Sequence, residues 1–244
     1  MLKQASIETV QRIDRCHLSV GTAAWAYARD NAENIDTHWA RAKAESPFFF
    51  NGVVHMIDEL RIEAGVLQAQ LVATDFKSYL YWRHNGYPDA GVLDGFGSAL
   101  LRASNGAVLL GRQREGNINS GLAYLPGGFI DARDVAADGT VDLASSIARE
   151  LTEEAGIDVA DLAQRPGFYL TCTNAQVSFA VEFVSRRTAL SLKTEIEKHL
   201  SQDPKSELTD IIVVRTSADL GGLAMPPYAR VLMLELFKDK AGGV

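Results

Sequence analysis

The chain has 244 residues and a formal net charge of -7, from 24 Lys and Arg against 31 Asp and Glu, a balance opposed to the basic footprint of a protein that tracks a nucleic-acid backbone. At this length a sizeable core forms without disulfide staples, and Cys16 and Cys172 stand far apart in no zinc-binding spacing, so both are expected as reduced thiols. No apolar run reaches the roughly eighteen residues of a membrane span and no basic-then-apolar leader opens the sequence, so a cytoplasmic protein with neither a membrane nor a nucleic-acid partner is expected.

In chain order, apolar spacing predicts a helix over 24–44, then strands over 48–54 and 65–72, the second alternating weakly and so half buried. The stretch 74–83 follows, with Tyr79 and Arg83 four apart on a helix. Turn formers gather at Tyr87-Pro88-Asp89-Ala90-Gly91 and the pattern changes there, dividing an N-terminal α+β region over 1–95 from a second domain over 96–244. Strands over 98–103 and 107–112 flank Ser104-Asn105-Gly106, a hairpin signal because Asn-Gly tolerates the positive φ of tight turns. Further strands are expected at 121–125, 168–172, 177–184 and 210–214, and helices at 145–155, 190–200 and 227–237. That interleaved, non-repeating order predicts an α/β (α+β sandwich) fold, a mixed β-sheet between helices.

The chemistry concentrates in Arg149-Glu150-Leu151-Thr152-Glu153-Glu154-Ala155-Gly156-Ile157. On a helix, Glu150, Glu153 and Glu154 fall on one face at i, i+3 and i+4. Ala144, Ile147, Ala148, Leu151 and Ala155 form an apolar stripe beside them, which sets the acids at the rim of a core. Three like charges repel, and a hard cation such as Mg2+ or Mn2+ relieves that repulsion; taken alone, the same residues also make an ordinary solvated acidic face. Upstream, Leu125-Pro126-Gly127-Gly128 ends a strand in a turn where backbone can approach a ligand. Arg112 and Arg114, at the end of a hairpin strand, are placed either to grip a phosphate through the guanidinium fork or to guard an exposed strand end. None of the histidines stands at zinc spacing and no Ser or Cys sits in a nucleophile motif.

The glycine turn and the acidic helix together resemble the Nudix hydrolase family, whose signature is G-x5-E-x7-R-E-U-x-E-E-x-G-U with U aliphatic. Gly128 takes the first glycine, and Arg149 to Ile157 match every defined position of the second half. Two positions depart: Asp134 stands where the first glutamate belongs, and the fourteen residues 135–148 replace seven before Arg149. The excess is placed at Ala136-Ala137-Asp138-Gly139-Thr140 as a removable surface loop, with Asp134, Asp142 or neither serving for the glutamate.

The resemblance implies a Nudix fold with an N-terminal extension and Mg2+-dependent cleavage of the diphosphate in a nucleoside diphosphate derivative. It implies Glu153 and Glu154 as metal ligands, Glu150 as ligand or water-activating base, and Gly128 as donor of a carbonyl. Arg149 would hold a neighbouring carboxylate, and Glu207, ahead of Glu182, would supply a further acidic ligand. Residues 46–83 resemble the UDP-sugar pyrophosphatase branch, which implies a nucleotide sugar such as UDP-glucose ahead of ADP-ribose or coenzyme A. In that reading Phe48, Tyr79 and Trp82 either line the pocket or fill a core, Tyr79 and Arg112 being the substrate-binding candidates. A Nudix-fold nucleotide sensor with little catalysis is the alternative of another class, and a homodimer is compatible with either.

Overall fold

The computed structural model describes residues 5–203 and 206–238. Two strands not among those expected come first, β1 (Ala5–Ile13) and β2 (Arg15–Val20). The helix expected over 24–44 divides at Asn31 into α1 (Ala26–Asp30) and α2 (Ala32–Glu45). The strand expected over 48–54 starts late: Phe48 and Phe50 stand exposed before β3 (Val53–Glu63), which pairs antiparallel with β4 (Val66–Asp75). Asp75 then accepts the Ser78 N–H and so caps α3 (Phe76–His84), satisfying one of the orphan donors of a helix start.

The remaining elements, apart from two short strands at Thr140–Val141 and Leu162–Gln164 that are not among those expected, fall close to their expected places. They are β5 (Asp94–Arg102), β6 (Val108–Gln113), β7 (Ala123–Tyr124), β8 (Thr140–Val141), α4 (Leu143–Ala155), β9 (Leu162–Gln164), β10 (Phe168–Asn174), β11 (Gln176–Ser185), α5 (Ala189–Gln202), β12 (Leu208–Val214) and α6 (Pro227–Leu236). The β5–β6 turn carries Gly106 at φ 78°, the left-handed value that the Asn-Gly pair anticipates.

The larger sheet runs β1-β10-β11-β5-β6-β12, with β7 on β6 and β9 on β11, and the smaller runs β3-β4-β2-β8. Both mix parallel and antiparallel pairs: β5 lies parallel to β11, and β2 parallel to β4. The architecture is thus the mixed α/β arrangement predicted from element order. The division at residue 95 is crossed in both directions, because β1 completes the larger sheet beside β10 while β8 completes the smaller beside β2. Among the described residues no helix is long and apolar enough to cross a membrane.

That second crossing corrects the expectation of a free loop at 136–140. Thr140 and Val141 pair with Ser19 and Leu18, and the Val20 N–H donates to the Gly139 carbonyl at 2.9 Å. Deleting 136–140 is therefore expected to keep unfolding cooperative but to cost about 1–2 kcal/mol, since a backbone hydrogen bond contributes about 1 kcal/mol net. Urea denaturation checks this, and an unchanged midpoint would return the segment to a passive loop.

Buried apolar residues form one large cluster over the larger sheet, joined by Ile147, Leu151 and Ala155 of α4, and a second around Trp25, Met56, Phe76, Tyr79 and Trp82. Trp82 belongs wholly to that second core, 0% exposed, its indole N–H donating to the Pro88 carbonyl at 2.8 Å.

Candidate active site

Helix α4 presents its acidic edge to the turn that follows β7. The reason is local: its apolar stripe must face β5, and the i+3 and i+4 spacing then carries Glu150 and Glu154 toward that turn. Gly127 packs so tightly on β5 that a Cβ there would stand 2.2 Å from the Gly97 carbonyl oxygen, and one on Gly128 would stand 2.8 Å from Glu150 Oε2. Only glycine allows this approach of turn, strand and helix. Glu207, just ahead of β12, joins Glu150, Glu154 and Gly128 in the lining of one cavity of about 380 Å³.

Glu154 is 7% exposed; its Oε2 accepts the Gly127 N–H at 3.2 Å and its Oε1 accepts the Tyr124 hydroxyl at 3.4 Å. Burial pushes its carboxyl well above the usual range, and repulsion from Glu207 and Glu150 adds to that, against the weaker help of those two donors. Burial also raises Glu150, opposed by the Arg149 guanidinium, and raises Glu207, where the charge of Glu153 adds to the effect. Three partly desolvated acids thus line one cavity.

Arginines hold the outer side of this cluster. Arg149 Nη1 donates to Asp134 Oδ1 at 2.6 Å and Nη2 to Glu150 Oε1 at 3.0 Å. Its Nε stands 3.6 Å from Glu153. Arg133 lies 3.5 Å from Glu150 and 3.4 Å from Glu153. Of the two candidates for the first glutamate of the motif, Asp134 reaches Arg149, whereas Asp142 accepts the Ser145 N–H and caps α4.

Of the residues singled out from sequence, Glu150, Glu154, Glu207, Gly128 and Tyr79 line the cavity. Glu153 does not; it points outward, half exposed, to the two arginines. The Gly128 carbonyl accepts the Gly97 N–H at 3.0 Å, so one of its lone pairs is already engaged. Arg112 lies off the cavity, because its guanidinium donates to the Gly121 carbonyl at 3.0 Å and flanks Asp210 at 4.0 Å. Tyr79 is fully buried, with its hydroxyl given to Asp94 at 2.8 Å, so only its ring edge borders the space. Glu182 pairs with Arg102. Phe48, 78% exposed, stands with Phe49 and Phe50 in the cavity wall.

Sequence reasoning passed over Arg133, Tyr124, Asp94 and Gln176, all of which line the cavity. Arg133 alone carried a signal, lying between Gly128 and Asp134 inside the motif.

Among the described residues no three His, Cys, Asp or Glu side chains already close on a single point, since Glu150 is turned to the arginines. The donor chemistry nonetheless suits a hard divalent cation: carboxylate oxygens only, crowded, and desolvated.

No family model matches the chain, and no curated protein does. Among solved structures it is similar to RenU, a Nudix hydrolase from M. smegmatis, at 19% identity and TM-score 0.41 over 60% of this chain and 85% of that one. It is similar to the MutT protein from Methanosarcina mazei Go1 at 23% identity and TM-score 0.38, over 61% and 95%. A bifunctional NMN adenylyltransferase/ADP ribose pyrophosphatase from Francisella tularensis is similar at 14% identity and TM-score 0.38, over 59% and 40%.

Proposed function

We propose that this chain is a Nudix pyrophosphohydrolase that cleaves the diphosphate linkage of a nucleoside diphosphate derivative with Mg2+, a nucleotide sugar such as UDP-glucose being preferred. One observation carries the reading: Glu150, Glu154 and Glu207 line a single cavity together with the Gly127-Gly128 turn. In that reading Glu150, Glu154 and Glu207 hold the cation, Glu150 exchanging its arginine contacts for it. When bound, Mg2+ neutralises diphosphate charge and lowers the pKa of water.

The residues of the chain do the rest. Gly127 donates its N–H to Glu154 and so fixes that carboxylate against the turn. Arg149, anchored by Asp134, orients Glu150, whose carboxyl, made more basic by burial, accepts a proton from water more readily than an exposed one. Arg133, on the cavity wall and held by Asp131 at 2.7 Å, would exchange its carboxylate contacts for a phosphate, whose oxygens its planar fork can bind two at a time. The aromatic wall from Phe48 to Phe50 offers faces for the remainder of the substrate.

The test is a panel of nucleotide sugars, ADP-ribose, dinucleotides, coenzyme A and nucleoside triphosphates with Mg2+ or Mn2+, products identified by mass in 18O-labelled water. Nucleotide sugars are expected to give a nucleoside monophosphate and a sugar phosphate, one of them labelled. Turnover confined to ADP-ribose or coenzyme A would overturn the sugar preference, and tight binding with no turnover would replace the hydrolase by a sensor.

A further inference from the structure

The Glu154 carboxylate is reached from the loop between β6 and β7 by a chain of hydrogen bonds whose direction is fixed. Gln113, the last residue of β6, accepts the Asn119 N–H on its Oε1. A backbone N–H can only donate, so the amide oxygen must face it and the amide nitrogen must face the other way. There Nε2 meets the Tyr124 hydroxyl at 3.3 Å and, being a donor only, donates to it. The hydroxyl has one proton to give, and the acceptor left for it is Glu154 Oε1 at 3.4 Å.

The last bond of the chain does something that the Gly127 N–H cannot do alone. Gly127 holds Glu154 Oε2 at 3.2 Å, and a carboxylate held by one oxygen still pivots about that contact. A second donor on Oε1 fixes its plane; each oxygen then faces one proton and keeps a lone pair for a cation. Gln113, Tyr124 and Glu154 are all buried, so bulk water is no substitute donor. The sheet itself carries the phenol, because Tyr124 lies opposite Gly111 in the β6–β7 pairing.

The other end of the chain is tied to the N-terminal region. Arg83 of α3 donates through Nη2 to the Ile118 carbonyl at 3.1 Å and to Asn119 Oδ1 at 2.9 Å. Ile118 and Asn119 line the cavity together with Tyr124 and Glu154. We infer, on the reading of Glu154 as a cation ligand given above, that Tyr124 is a positioning residue: its hydroxyl, aimed by Gln113, fixes the Glu154 carboxylate for the metal.

Calorimetry of Mn2+ binding to the full chain, without substrate, is the test. Tyr124→Phe keeps the ring in the core and removes the hydroxyl. Because the bond is long, Mn2+ is expected to bind about tenfold more weakly, the low end of what losing such a partner costs a metal site. Tm in chelator should fall by no more than about 2–4 °C, the share of one hydrogen bond. In turnover, the half-saturating Mg2+ concentration should rise by a similar factor, while kcat at saturating Mg2+ stays within about twofold of wild type. Gln113→Met leaves the hydroxyl free to turn and should weaken Mn2+ in the same direction but by less; an affinity equal to wild type there removes Gln113 from the chain. Equal Mn2+ affinity in wild type and Tyr124→Phe overturns the positioning role and leaves the hydrolase reading standing, whereas a wild type that binds no Mn2+ overturns both. Conversely, weakened Mn2+ binding in Tyr124→Phe with no diphosphate cleaved by the wild type upholds the positioning role and removes the hydrolase.

Discussion

Glu154→Gln is expected to lower kcat/KM by at least tenfold, about 1.4 kcal/mol of barrier, and at the same time to stabilise the metal-free protein. Both effects come from one environment. Glu154 is buried beside Glu207 and Glu150 with only a Gly127 N–H and a Tyr124 hydroxyl for support, so its charge is held at a cost that a bound cation would relieve. Glutamine keeps a carbonyl for Gly127 and loses the charge. Stability and activity then move in opposite directions, the usual trade-off at a site kept strained for function. The pH dependence has a definite sign. The folded carboxyl lies above its ordinary value of 4.5, so the folded state binds more protons than the unfolded one above that pH, and wild-type stability in chelator falls as pH rises from about 4.5 through the folded value. Thermal melts in chelator should show that slope diminished in Glu154→Gln, and added Mg2+ should raise the midpoint of the wild type more at alkaline than at acid pH. A variant with wild-type activity would remove Glu154 from the metal site.

Asp134→Ala is expected to be the most destabilising single change at the site, at about 3 kcal/mol, because removing one partner of a buried ion pair leaves the other uncompensated at about 3–5 kcal/mol. The Asp134 side chain is 1% exposed; it accepts from Arg149 at 2.6 Å and from the Asp131 N–H at 2.9 Å. The lower end of the range applies because Arg149 keeps Glu150 and Glu153. For a chain of this size the loss corresponds to a fall of about 6–12 °C in Tm. Activity should fall too, since Arg149 loses the anchor from which it orients Glu150, and Asp142→Ala, which removes only a helix cap worth about 1 kcal/mol, should leave turnover close to wild type. Equal losses of activity in the two variants would mean that stability alone is at work.

The acidic helix was legible because everything that makes it is local: three carboxylates and an apolar stripe within one span of α4. The hairpin around Asn105-Gly106 was legible for the same reason. What escaped depends on partners distant in sequence. Asp134 and Arg149 are fifteen residues apart around an inserted strand, so spacing alone left Asp142 equally eligible. Strand β1 carries no clean alternation and is defined by pairing with β10, whereas β2 alternates polar and apolar from Arg15 to Val20 and its signal was passed over; β4 pairs with it from about fifty residues away. Asp94 belongs to no local motif; Gln176 reaches it from eighty-two residues away. Arg112 shows the reverse failure, a side chain with suitable chemistry whose strand carries it away from the cavity.

The pairing of β1 with β10 has a consequence for how the chain is made. Ala5 lies opposite Asn174 and Ile13 opposite Phe168, so β1 leaves a ribosome about 155 residues ahead of the strand it pairs with. Contacts this far apart slow folding, because the loop must close before the pairing rewards it. During synthesis the opening segment is an unpaired strand edge, open to association with neighbouring nascent chains. The N-terminal region is therefore not a module that matures first and receives the rest of the chain afterwards; the two are expected to reach the native state in one late step.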